Sequence, residues 1–228
     1  ITEDTNLVAN WIAFYTVTIN PNGGIYNGST ETTTNSYREG TIITIDAPTR
    51  ATYTFSGWNI STGSLSNNQY TVNADVVFTA NWDEITHTVT INPNGGEYDG
   101  HTVVFSTTYH EGTEVQILTP TRDTYSFTDW TTTPNILGQD NKLTVTEDVT
   151  LVANWNEIYY NLTIDPNGGT YGDHTEEFTT TYRMGTVVNL TTPTKEHSTF
   201  SHWQLEDNSS YNESSIEITR DIKLVAIY

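Results

Sequence analysis

Three chemistries lie within reach of the residue types in this chain: a histidine-held metal, a carboxylate-held calcium ion, and a carboxylate pair for glycoside cleavage. The histidines are His87, His101, His110, His174, His197 and His202. None stands in an HExxH or comparable short ligand spacing, so zinc hydrolysis has no support. Only His101 and His174 share an offset from a recurring Pro-Asn-Gly-Gly turn, and Ser29 takes that place in the first copy. The histidines are therefore expected to face solvent. Asp4, Asp75, Asp148 and Asp221 recur just before a closing strand, where an Asp accepts turn backbone hydrogen bonds. These are also the candidate calcium ligands at repeat junctions, although the EF-hand spacing and the Gly-rich calcium nonapeptide are both missing. Carboxylates are too frequent for position alone to pick out a glycosidase pair. Catalytic, cofactor-binding and metal-binding residues are accordingly all assigned as none.

Other chemistries fail on spacing or composition. A Lys-to-Asn/Asp crosslink would draw on Lys142, Lys195 or Lys223, but their offsets differ and the first full repeat has no Lys, so a repeated crosslink is excluded. The Gly-Gly turns lack the Lys-Ser/Thr of a phosphate loop and the GxGxxG of a dinucleotide site. There is no Cys, hence no thiolate ligand, nucleophile or disulfide. With 28 Asp and Glu against 8 Lys and Arg, the net charge of -20 repels nucleic acid and anionic membrane. No run of about eighteen apolar residues could span a bilayer, and direct membrane insertion is not expected. Asn-x-Ser/Thr motifs at Asn27, Asn59, Asn161 and Asn208 depend on a glycosylating host.

The elements that would have to position any site are repeated. Thr16-Val17-Thr18-Ile19-Asn20-Pro21-Asn22-Gly23-Gly24 recurs from Thr88 to Gly96 and from Asn161 to Gly169. Alternation followed by this turn reads as a strand entering a hairpin, through a type I turn and a left-handed Gly. Ile1 to Trp11 matches Val145 to Trp155 and reads as the closing strand of a truncated preceding repeat, residues 1–11. Three repeat modules follow, at residues 12–82, 83–155 and 156–228. Their markers are Pro21, Gly23, Trp58 and Trp82; Pro93, Gly95, Trp130 and Trp155; Pro166, Gly168 and Trp203.

Within each repeat an alternating Phe and Trp pair, Phe55 with Trp58, Phe127 with Trp130, and Phe200 with Trp203, follows a Pro-marked loop. Rings of this size bury about 150–250 Å² and anchor small cores; carbohydrate stacking is the alternative role for the three Trp residues. The segments 62–69, 132–141 and 206–213 diverge and read as polar surface loops that either tolerate change or carry contacts specific to one repeat. No long amphipathic helix is expected, only a short helical turn near Tyr37-Arg38-Glu39-Gly40. The fold class is mainly β, or α+β with minimal helix.

The sequence resembles the Listeria–Bacteroides repeat family, which is related to the B repeat of Gram-positive internalins. The resemblance rests on Tyr109-His110-Glu111-Gly112-Thr113, Pro120-Thr121-Arg122, Tyr125-Ser126-Phe127-Thr128-Asp129-Trp130 and Leu151-Val152-Ala153-Asn154-Trp155, with the Asn-Pro-Asn-Gly-Gly turn. It implies tandem β-grasp-like (ubiquitin-like) modules in an extended array, non-catalytic and extracellular, in bacterial cell-surface or secreted proteins. Stalk-like spacing of a distal binding region, with weak multivalent contacts, is the expected role. Direct binding of a host protein or glycan is the alternative. Neighbouring repeats are the expected partners, and the fragment itself is expected to be monomeric. The third repeat departs from the pattern: Ser198 replaces Tyr53 and Tyr125, and Tyr228 replaces the closing Trp.

Overall fold

The computed structural model describes residues 8–228, and the described residues contain strands and turns but no helix. β-Branched and aromatic residues crowd the strand positions, and Thr and Asn fill the places where a helix would need straight-chain residues. The first repeat carries β1 (Phe14–Asn20), β2 (Thr33–Arg38), β3 (Ile42–Thr44), β4 (Tyr53–Ile60), β5 (Gln69–Thr71) and β6 (Val76–Glu84). The second carries β7 (Thr86–Asn92), β8 (Phe105–His110), β9 (Thr113–Gln116), β10 (Tyr125–Thr133), β11 (Lys142–Val145) and β12 (Val149–Glu157). The third runs through β13 (Tyr159–Asp165), β14 (Phe178–Arg183), β15 (Val187–Asn189), β16 (His202–Gln204), β17 (Ser210–Tyr211), β18 (Ser215–Glu217) and β19 (Ile222–Ile227).

The three main sheets share one order: β2-β1-β6-β4, then β8-β7-β12-β10, then β14-β13-β19-β16 with β17 added at the edge. Their central pairs are parallel, with Val17 beside Val76, Val149 beside Val89, and Leu162 beside Ile222. Small two-stranded sheets β3–β5, β9–β11 and β15–β18 accompany them.

A central parallel pair flanked by antiparallel strands is the order of a β-grasp sheet, but a β-grasp also packs a helix on that sheet, and the described residues have none. In its place the chain from Glu39 to Thr52 turns at Gly40, forms the three-residue β3 and passes Pro48. The short helical turn expected at Tyr37-Arg38-Glu39-Gly40 is also absent. Tyr37 and Arg38 finish β2, and Gly40, at φ 80°, reverses the chain.

Alternation along the strands sets the cores. In the first repeat Val17, Ile19, Ile45, Tyr70, Val72, Val76 and Phe78 form a buried cluster against which Trp58 packs. In the third, Leu162, Ile164, Ile218, Leu224 and Trp203 do the same. Val89, Ile91, Leu143 and Leu151 are buried at the corresponding places of the second. No polar or charged residue is buried among the described residues.

Phe55 and Trp58 are three residues apart, so a regular strand would put them on opposite faces. The structure places a bulge between Phe55 and Gly57, and another between Phe127 and Trp130. The extra residue returns the Trp to the Phe's face. Phe55 then meets Trp58 at 5.4 Å and Trp82 at 5.7 Å, both edge-on. Trp58 and Trp130 bury their indole N–H without an acceptor among the described residues, so ring packing alone holds them.

By compactness the chain divides into two units. One reaches to Thr88 and takes in Thr108–Val115 and Thr144–Asp148; the other comprises Val89–Thr107, Gln116–Leu143 and Val149–Tyr228. Residues 1–7, most of the expected remnant strand, lie outside the described residues. Val8 to Trp11 form no strand, and Trp11 is 93% exposed. β6, β12 and β19 are each paired with a strand on both sides, and Val8 to Trp11 with none among the described residues.

Candidate functional site: the glycine turn and the repeat junction

The recurring turn is built from its own short side chains. Asn20 Oδ1 accepts the Asn22 N–H at 2.8 Å, and the Gly24 N–H donates to the Pro21 carbonyl at 2.9 Å. Asn22 and Gly23 both have positive φ, 49° and 83°, so the turn is of the primed type I′ instead of type I followed by a left-handed Gly. Asn and Gly tolerate that region best. The turn does not close the β1–β2 hairpin by itself. A second tight turn follows, in which Tyr26 and Ser29 exchange backbone bonds of 2.9 and 3.0 Å around Asn27 and Gly28.

Each turn is then pinned from the far end of its repeat. Asn22 Nδ2 donates to the Ala80 carbonyl at 2.9 Å, and Asn94 and Asn167 donate at the same distance to Ala153 and Ala226. The closing aromatic caps the Pro carbonyl. Trp82 Nε1 donates to Pro21 at 3.2 Å, Trp155 Nε1 to Pro93 at 3.1 Å, and the Tyr228 hydroxyl to Pro166 at 3.0 Å. Tyr thus replaces Trp with the donor preserved, and burial raises the Tyr228 hydroxyl above its ordinary range, with the Asp165 charge adding to it. The second Gly gives the ring its seat: a Cβ on Gly24 would stand 2.3 Å from Trp82 Cζ2, and one on Gly96 2.5 Å from Trp155 Cζ2. Pro21, Pro93 and Pro166 are buried with the second Gly, whereas the Asn and first Gly (Gly23, Gly95 and Gly168) are exposed.

A cation closes the outer side. Arg122 Nη1 donates to the Asn94 carbonyl at 3.1 Å and its guanidinium lies 3.8 Å over the Tyr125 ring. Arg50 lies equally close to Tyr53, and its bond to the Asn22 carbonyl is longer, 3.5 Å. In the third repeat Ser198 supplies no ring, so Lys195 donates to the Asn167 carbonyl at 2.8 Å and sits 4.9 Å over Tyr228 instead.

The recurrent carboxylates have a backbone task. Asp75, Asp148 and Asp221 each accept the N–H of the residue just before the parallel pairing begins, Thr16 at 2.6 Å, Thr88 at 2.7 Å and Asn161 at 2.8 Å. Among the described residues no three His, Asp or Glu side chains gather as metal ligands. Asp4 lies outside the described residues.

At the junctions almost no chain separates the strands of adjacent repeats. β6 ends at Glu84 and β7 begins at Thr86; β12 ends at Glu157 and β13 begins at Tyr159. Only Ile85 and Ile158 intervene, and each is bonded through both backbone groups. The Ile85 N–H donates to Thr52 O at 3.0 Å while its carbonyl accepts the Glu111 N–H at 2.9 Å; Ile158 is held by Thr124 at 3.1 Å and Met184 at 2.8 Å. Thr52 and Thr124 adopt φ of 63° and 62°, an uncommon state for a β-branched residue that aims these carbonyls at the junction.

Side chains reinforce these bonds. Glu84 lies 3.3 Å from His110 Nδ1 and accepts the Tyr53 hydroxyl at 3.3 Å. Glu157 lies 3.4 Å from Arg183 Nε, an ion-pair contact without hydrogen-bond alignment, and Arg183 reaches over Tyr125 at 4.7 Å. His87, expected in solvent, has a side chain only 19% exposed and sits 3.5 Å from Glu111 Oε2. His101 and His174 stack on Phe105 and Phe178 at 4.0 and 3.7 Å.

Residues 87–154 and 160–227 match the Listeria-Bacteroides repeat domain, and residues 15–86 match the divergent InlB B-repeat domain. Among solved structures, the chain is similar to one described as Streptococcal High Identity Repeats in Tandem (SHIRT) domains 3-4 from cell surface protein. That similarity covers 63% of this chain and 98% of the other, at 15% identity and a TM-score of 0.27. No curated protein matches.

Proposed function

The chain belongs to the Listeria-Bacteroides repeat domain family, and on that premise we propose that its repeats are stalk elements, holding a distal binding region of a bacterial surface adhesin away from the cell. The family is a non-catalytic repeat of extracellular surface proteins, so the chain is not an enzyme. No described helix is long and apolar enough to cross a membrane.

The observation that carries the spacer reading is the single-residue junction. A free linker would leave the N–H and carbonyl of Ile85 to solvent, but both are bonded, one to each neighbouring repeat. Bending there would break two backbone bonds, each worth about 0.5–1.5 kcal/mol net, besides the Glu84 contacts. We read each repeat as a helix-free β-grasp-like module, with boundaries at 12–82, 83–155 and 156–228. Small-angle scattering tests the reading: an elongated particle whose maximum dimension shrinks on inserting five Gly/Ser residues after Ile85 supports it. A compact globule for the unaltered chain would sink it.

A further inference from the structure

We infer that the cleft beside the glycine turn in the second repeat, and its counterpart in the third, binds a carboxylate-bearing sugar residue. Arg122 and Lys195 take the sugar carboxylate, and Glu97, Asp123 and Glu196 take ring hydroxyls. The second-repeat cleft, about 230 Å³, is lined by Gly95, Gly96, Glu97, Thr121, Arg122 and Asp123. The third-repeat cleft, about 430 Å³, is lined by the corresponding Gly168, Gly169, Thr170, Thr194, Lys195 and Glu196. Two clefts at one sequence offset, each walled by a cation and the backbone of a Gly-Gly turn, form a repeated feature of the fold.

The cation is held ready. The Arg122 guanidinium is clamped between the Tyr125 ring at 3.8 Å and Gly95, whose absent Cβ would stand 3.3 Å from Cζ. Its bond to Asn94 uses one of the guanidinium's several N–H donors. Although acidic residues outnumber basic ones 28 to 8, neither Arg122 nor Lys195 has a carboxylate within ion-pair distance among the described residues. A fixed, planar, unpaired guanidinium is suited to bidentate capture of a carboxylate.

The surroundings choose the carrier of that carboxylate. Glu97, Asp123 and the net charge of -20 repel a polyanion such as nucleic acid or a run of acidic side chains. A single carboxylate beside several hydroxyls fits, because each hydroxyl can donate to a flanking carboxylate. The first repeat separates the turn's structural need from binding. It keeps Arg50 over Tyr53 but has Ile25 where the second has Glu97, and Ala51 where the second has Asp123. Holding the turn therefore requires the cation and not the carboxylates. The third repeat keeps one carboxylate, Glu196, with Thr170 in place of the other, so its site is the weaker. None of this depends on the spacer reading.

The test is a titration of the ¹⁵N-labelled full chain with sodium glucuronate, followed by amide and Arg Nε–H shifts, with N-acetylneuraminate as a second acidic sugar. Acetate and glucose supply the carboxylate and the hydroxyls separately. Gly95, Gly96 and Arg122 signals should move with either acidic sugar at concentrations where acetate and glucose give less than about a tenth of the shift. Gly168 and Gly169 should move less, and Gly23 and Gly24 should stay in place. Glu97→Gln with Asp123→Asn leaves the Arg122–Tyr125 clamp intact and should weaken second-repeat binding about tenfold or more, the scale of lost charged hydrogen bonds. Arg122→Gln should remove second-repeat binding and spare the third. Acetate matching glucuronate, equal shifts in the first repeat, or unchanged binding in the Glu97→Gln/Asp123→Asn variant would each overturn the assignment.

Discussion

Replacing Gly96 by Ala tests the seat of the closing aromatic. The added Cβ would lie 2.5 Å from Trp155 Cζ2 and 2.6 Å from the Thr121 carbonyl oxygen, against an ordinary contact of 3.4–4 Å. Neither neighbour yields easily. The carbonyl accepts the Glu97 N–H at 2.7 Å, and the indole is tied to Pro93 at 3.1 Å and packed on Phe127. Overpacking of this kind costs about 1–3 kcal/mol, and losing the indole hydrogen bond adds about 1 kcal/mol. The expected destabilisation of the second repeat is therefore about 3 kcal/mol. Gly100→Ala is the matched control, because its Cβ would meet nothing within 4 Å while its φ of 79° is left-handed. That change carries only the conformational cost, about 1–2 kcal/mol. Native-state hydrogen exchange at the slowest amides of β12 in the full chain reads both: about a hundredfold acceleration for Gly96→Ala and roughly tenfold for Gly100→Ala. Equal or smaller acceleration for Gly96→Ala would refute the seat.

Trp155→Tyr, copying Tyr228, should cost under about 1 kcal/mol, whereas Trp155→Ala should cost about 3 kcal/mol; equal denaturation midpoints for the two would contradict the donor role. Deleting Ser56 removes the extra residue and leaves Trp58 two positions after Phe55, on the same face of a regular strand, so the near-ultraviolet dichroism of the first-repeat aromatics should be retained; a collapsed spectrum would count against the bulge argument. Burial raises the Tyr70 hydroxyl above its ordinary 10.0, and this group donates to Thr62 O at 2.9 Å. The folded state thus prefers the protonated phenol. Its contribution is complete below about pH 10 and is lost as pH rises through the folded value. Alkaline unfolding of the first repeat should be less steep in Tyr70→Phe, and an identical pH profile would show that Tyr70 is not the responsible group.

The β class and the tandem repetition were legible because Thr-Val-Thr-Ile alternation and Pro-Asn-Gly-Gly are local signals. Both are statements about neighbours in sequence. The primed turn was half-legible: Asn before Gly points to positive φ at both, and Asn27-Gly28 and Asp99-Gly100 carry the same signal for the second turn. The seat was not legible, since Gly24 and Trp82 are joined only by the parallel pairing of β1 with β6. The odd spacing of Phe55 and Trp58 contained the bulge, because two same-face rings three residues apart demand an extra residue. The missing helix follows from Thr, Pro and Gly between β2 and β4, although sheet order alone suggests a β-grasp. Junction length was not legible because Asp83 and Glu84 are polar and carry no strand alternation, yet they extend β6 through its pairing with Thr54 and Tyr53.

The proposed spacer role requires that Ile85 join adjacent repeats without a free hinge. Residual dipolar couplings from the full chain, aligned in a dilute neutral medium, address it most directly. A single alignment tensor should fit the couplings of β1–β6 together with those of β7–β12, and a five-residue Gly/Ser insertion after Ile85 should split it in two. Two unrelated tensors in the unaltered chain would contradict the account.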